Sequence, residues 1–151
     1  MAVEDRDMGW GRIKAQLKDF DKLSLTVGIH KGQSKQGALS TAAAANEYGR
    51  KDGHIKERPA WRMAFDANGN KYKQMVGDAV GHVERSGAAP RLALMAVGVE
   101  VRNDLIKSIV ALSEPENKPS TIAKKGSSNP LVDTAATQRA ITAKVRKGVK
   151  L

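Results

Sequence analysis

Lys124-Lys125-Gly126-Ser127-Ser128 gathers the residue types of a phosphate loop: cations, a glycine and hydroxyls. The order G-x-x-x-x-G-K-[ST] is missing and no strand clearly precedes the run, so the likeness is one of composition. His30, His54 and His82 are the candidates for metal ligation or proton transfer. They lie far apart, without HxH or HxxxH spacing, and the chain has no cysteine to complete a zinc site. No serine sits in a G-x-S-x-G elbow. Sequence order alone does not exclude a Ser–His–Asp system, because triads assemble in space. Carboxylates are scattered singly, without a pair that suggests acid–base work. The sequence therefore predicts no catalytic residue, no cofactor and no metal, and a protein that is not an enzyme.

What remains is charge. Residues 118–151 hold eight Lys or Arg and one acid, Asp133, whereas the other 117 residues hold 18 basic and 15 acidic side chains. Most of the net charge of +10 is thus concentrated in the last quarter. Such a charge favours a polyanionic neighbour: nucleic acid, an anionic membrane face or an acidic protein surface. It fits equally well a solvated basic surface with no specific partner. Lys144 and Arg146 share one face of a predicted terminal strand, with Lys147 beside them, and are the candidates for contact with DNA or an acidic surface. No aromatic platform lies nearby for base stacking. Contact with phosphates without sequence preference is the form DNA binding would take. Charged residues on an edge strand also discourage aggregation.

A chain of 151 residues fits one domain with a real core. Aromatics are 4% of it, so Ala, Val, Leu, Ile and Met must build that core. No apolar run approaches the roughly 18–20 residues that span a bilayer. The acidic start MAVEDRDMGWGR lacks the apolar centre of a signal peptide. A soluble protein, made and used in a cytoplasm without a membrane partner, is expected.

The elements follow from periodicity. Trp10, Ile13, Leu17 and Phe20 mark one face of a helix over 10–20. Leu23 to His30 alternates strictly and predicts a strand, in which Gly28 suggests a bulge or a close backbone approach. Lys31–Gly37 reads as an exposed, mobile loop. Ala38–Tyr48 is an alanine-rich helix ending at Gly49, with side chains small enough for close packing. Arg50–Arg58 is a charged loop. A helix starts near Trp61 with a weak point at Asn68-Gly69-Asn70, and Tyr72, Met75, Val76, Ala79, Val80 and Val83 carry its face to Ser86. Pro90 opens the longest amphipathic helix, with Leu94, Val97, Val101, Leu105, Ile109 and Leu112 along one side. An irregular segment, drawn as an extended arm at about 113–130, leads to a strand over Ala140–Arg146. The expected fold is α+β: a small antiparallel sheet including the first and last strands, flanked by helices. A two-stranded ribbon is marginal alone, so a further strand or a partner's strand should complete it. Trp61, after the restricted Arg58-Pro59 step, is expected to anchor the core; docking on a neighbouring subunit is the alternative.

With these segments in place, the chain resembles the tail-completion and head–tail joining proteins of tailed bacteriophages, the virion morphogenesis family. Four pieces carry the resemblance in order: Val27-Gly28-Ile29; Ala42–Gly49 (AAAANEYG), similar to a small-residue helix ending in N-E-x-G; Ile55–Trp61 (IKERPAW), similar to an I-P-x-R-P-aromatic loop; and Ser120–Ile141, similar to T-I-x-x-K-G-S-x-x-P-L-x-D-T-(G)-x-L-x-x-S-I. The chain departs from that pattern at Lys56 or Glu57, at Ala135, and at Thr137 or Gln138.

The resemblance implies a structural virion protein that forms a homo-oligomeric ring, of six subunits, at the neck or collar between head and tail. It would be assembled in the host cytoplasm. Double-stranded DNA would pass through the ring without sequence-specific contact. A portal- or adaptor-side connector would bind above, and a tail terminator or tail tube protein below. Arg58, Pro59, Trp61, Thr121, Ile122, Lys124, Lys125, Pro130 and Leu131 would make the contacts between subunits, with the 118–129 arm ordering on assembly. A terminator ring capping the tail tube is one alternative, and a free basic nucleic-acid-binding module is another. A small phage hydrolase is more distant.

Overall fold

The computed structural model describes residues 9–30, 32, 37–126 and 136–148. Eight elements follow in chain order: α1 Trp10–Phe20, β1 Leu23–Ile29, α2 Ala38–Tyr48, α3 Ala60–Ser86, α4 Pro90–Ala111, α5 Pro119–Lys125, α6 Ala136–Ala140 and β2 Ile141–Lys147. The fold is α+β, with the first and last strands paired antiparallel from Leu23↔Lys147 to Ile29↔Ile141. Among the described residues no third strand joins them. The ribbon is supported instead by α4, which packs across both strands.

The core is the seam between α4, α3 and the ribbon. Leu94, Val97, Val101, Leu105, Ile109 and Leu112 are all buried along α4, and Ile141 and Val145 are buried opposite them. Gly98 makes the close approach of helix and sheet, a contact that periodicity does not reveal. A Cβ there would lie 2.6 Å from Leu25 Cδ1 and 2.8 Å from Ala143 Cβ. The absence of a side chain thus sets how near α4 can lie to the strands.

Several local expectations change. The α3 helix runs unbroken through Asn68-Gly69-Asn70. Asn68 turns its amide back to Ala64 O at 2.8 Å, and the next residues, Lys71 and Tyr72, both bond Asp104 on α4. These interactions hold the helix across its weakest propensity. Gly28 pairs in register with Thr142, so there is no bulge. No close backbone approach occurs there either: the Trp61 ring lies 3.6 Å from where a Cβ would stand, an ordinary side-chain contact. Trp10 is 60% exposed beneath the Lys14 ammonium, because α1 lies at the periphery and its stripe is only half-buried.

The segment expected as an extended arm contains a helix, α5. Pro119 opens it, and Gly126, in the left-handed region at φ 68°, closes it with its N–H on Ile122 O. Seven residues are too few to display a periodic face. The final strand starts one residue later than expected because Ala140 ends α6. Most of the 31–37 loop lies outside the described residues, as do Pro130 and Leu131. No helix among the described residues is long and apolar enough to cross a membrane.

Candidate functional site

The α2 helix ends in Asn46-Glu47-Tyr48-Gly49, and Glu47 is buried although it carries a charge. Its carboxylate accepts the Trp61 and Arg62 backbone N–H groups, both at 3.0 Å. Those are orphan donors of the first turn of α3, where Pro59 offers no side-chain cap. An acid on one helix therefore caps the start of another, where the helix dipole favours negative charge. Arg62 closes the arrangement through Glu47 O and the Glu47 and Glu57 carboxylates, and its guanidinium lies 5.4 Å from the centre of the Tyr48 ring. These hydrogen bonds, Glu57 first among them, raise the Arg62 pKa further above its ordinary value.

Arg58 forms a second clamp. Its backbone N–H meets Asn46 O at 2.7 Å, and its guanidinium donates to Pro115 O, Glu116 O, Asn117 Oδ1 and Asn46 Oδ1. The residue is only 8% exposed. Desolvation lowers its pKa, with no acid opposing the shift. Expected at a subunit boundary, the Arg58 side chain instead turns inward and holds the 115–117 segment against the end of α2. Any part it takes in assembly passes through the backbone it positions. The charged loop before it is ordered by Arg50 N–H on Ile55 O and Gly53 N–H on Arg50 O. At Gly49, a Cβ would come within 3.0 Å of Glu57 N, so the turn admits little else.

Two depressions flank these clamps. The first is an open groove of about 390 Å³ between α2 and α3, lined by Ala43, Ala44, Trp61, Phe65 and Ile29, with Glu47 at its base. Trp61 is half-buried: one side packs on the core, and the other walls the groove. The alanine face of α2 is therefore only partly covered by its own chain. The second depression, of about 460 Å³, is polar. His54, Lys56, Arg58, Glu116, Lys118 and Thr121 line it.

The remaining site residues are dispersed. Pro59, Thr121 and Ile122 are half-buried, and the Lys124 and Lys125 side chains lie outside the described structure. Lys144 and Arg146 stand with Thr142 on the sheet face opposite the core; Lys144 is half-buried, while Arg146 and Lys147 are exposed. The three histidines do not come together. His30 bridges the strands through Thr26 and Thr142 at 2.9 Å each, His54 sits in the loop before α3, and His82 lies beside Ser86.

Sequence reasoning missed two features. One is the capping role of Glu47, whose only signal was an acid at the end of an otherwise uncharged helix. The other is a second apolar stripe on α4. Leu92, Val99 and Val110 are exposed and fall within about 20° of one another around the helix, on the side away from the core. The spacing of seven and eleven residues was legible, but the stronger core stripe masks it. Comparison with protein families, with curated proteins and with solved structures finds no match.

Proposed function

We propose that this chain is a structural, non-enzymatic protein of a tailed bacteriophage virion, forming a ring at the head–tail junction through which DNA passes. The observation that carries the proposal is convergence. The four segments that resemble the joining-protein family are scattered over more than a hundred residues, yet they meet at one pole of the molecule. Gly28 of the first lies against Trp61 of the third; Asn46 and Glu47 of the second hold Arg58 and Trp61 of the third, and Arg62 just after it. The fourth segment reaches the same place through Thr137, a position at or next to its departure from the pattern, which lines a small cavity with Asn46, Arg58 and Trp61. Residues that resemble a pattern by chance have no reason to bond one another.

Assembly is supported by the apolar surface left on the single chain. A helix with apolar stripes on opposite sides is suited to burial on both. Leu92 and Val99, with Tyr48 and Phe65 on the groove lining, are exposed large side chains that a neighbouring subunit would cover. The basic outward face of the ribbon would meet passing DNA or an acidic partner.

The test is disruption of the gene in the phage that encodes it: filled heads and complete tails should accumulate unjoined, and the wild-type chain supplied in trans should restore them. Normal joined particles would reject the proposal. The charge of +10 favours the second reading, a free nucleic-acid-binding module. Such a module should bind duplex DNA by itself, with affinity falling steeply as salt rises. A ring protein should bind it weakly until assembled.

A further inference from the structure

Arg58 presents an electrostatic imbalance. The residue is 8% exposed, and the four hydrogen-bond acceptors of its guanidinium are all uncharged oxygens. Buried cations in proteins are ordinarily paired with an anion, because hydrogen bonds to neutral groups do not neutralise the charge. Of the five guanidinium N–H donors, one on Nη1 remains. Arg58 lines the polar depression of about 460 Å³, and the other cations on that lining are Lys56 and Lys118, both exposed and neither paired with a carboxylate among the described residues. Glu116 is the one acid on the lining.

We propose that this depression is a binding site for a phosphomonoester group. Arg58, Lys56 and Lys118 against Glu116 leave two positive charges, which a phosphate near its dianionic form balances and a single carboxylate does not. Arg58 supplies a planar, partly desolvated donor to the lining, while the two exposed lysines supply charges on long flexible stems. Thr121 and Asn46 add neutral hydrogen-bonding groups to the wall. The volume exceeds that of a bare phosphate and has room for the group that carries it. The site does not depend on the ring: it follows from the charges and shape of the isolated chain. It lies apart from Lys144 and Arg146, and a single nucleotide end fits it better than a continuous phosphodiester backbone.

The experiment is a titration of the full chain, followed by NMR and calorimetry at fixed ionic strength. The probes are inorganic phosphate, acetate, a 5′-phosphorylated dinucleotide and its unphosphorylated twin. Phosphate and the phosphorylated dinucleotide should shift the signals of His54, Lys56, Arg58, Lys118 and Thr121 saturably, and the other two should not. The Lys56→Gln/Lys118→Gln variant should weaken binding about tenfold, the factor for losing roughly one charge-assisted hydrogen bond. Glu116→Gln should tighten it, a change of opposite sign that a merely structural residue would not produce. Both variants alter exposed side chains, so folding is not at stake. Acetate binding as well as phosphate, or shifts spread over the whole basic surface, would overturn the site. Equal binding of the two dinucleotides would overturn its preference for a monoester.

Discussion

The α3–α4 hairpin with its ribbon and the pole around α2, α5 and the 50–58 loop are built on different principles. The first is held by a continuous apolar seam, with a few polar ties: Arg102 Nε donates to Ile141 O and Ser108 Oγ to Ala60 O, and Asp104, 7% exposed, is bonded to Lys71 at 2.7 Å and to Tyr72 at 3.2 Å. Burial pushes the Asp104 carboxyl up, but Lys71, Tyr72 and Lys107 outweigh it and leave it below its ordinary value. The same burial, with the nearby Asp104 charge, pushes the Tyr72 phenol up to about 12. The pole, by contrast, has little apolar interior. Single polar side chains hold it together: Glu47 at one helix start and Arg58 at one chain crossing. A region made of repeated small contributions resists single changes of surface chemistry. A region made of a few strong polar contacts can be loosened one contact at a time. That suits a surface that must fit a neighbour.

The largest expected effect lies in the seam. Leu105→Ala, which empties a site with no exposure, should cost about 4 kcal/mol in urea unfolding and leave little folded protein to assemble. Gly98→Ala should cost about 1–3 kcal/mol, because its methyl must displace Leu25 and Ala143. An unchanged unfolding midpoint would show that the helix–sheet spacing is softer than described. At the pole, Glu47→Gln should cost about 1–2 kcal/mol by weakening the cap on α3, with the loss appearing as faster amide exchange at Trp61 and Arg62. If exchange instead rises throughout α4, the two regions are not separate.

Acid separates them further. An aspartate held below its unfolded value contributes stability that is fully present above about pH 4 and disappears as pH falls through the lower, folded value. Urea midpoints should therefore drop most steeply below about pH 4, and Asp104→Asn should flatten that limb. Smallest of all, Lys144→Gln with Arg146→Gln should change stability by less than about 0.5 kcal/mol while reducing particle yield, so that assembly falls without the loss of stability expected of Leu105→Ala.

The contrast also explains what the sequence could convey. Leu23–Ile29, the α4 stripe and the pairing of first and last strands were legible because repeated apolar spacing states which face is buried. Trp61 was legible as important, yet its division between core and groove depends on α2, which lies fourteen positions upstream. Arg58 was singled out, but its intrachain role was not legible: an arginine before proline gives no sign that it bonds its own chain fifty-seven residues on. α5 escaped notice because two prolines and a run of polar residues imitate a loop, while Pro119 and Gly126 in fact mark its two ends.

The most direct test of the proposed place in the virion is a cryo-electron microscopy reconstruction of the neck of particles carrying this chain. A closed ring of six copies around the DNA channel is expected, with Leu92 and Val99 or the α2–α3 groove covered by the adjacent subunit. A well-resolved neck containing no copy of this chain would contradict it.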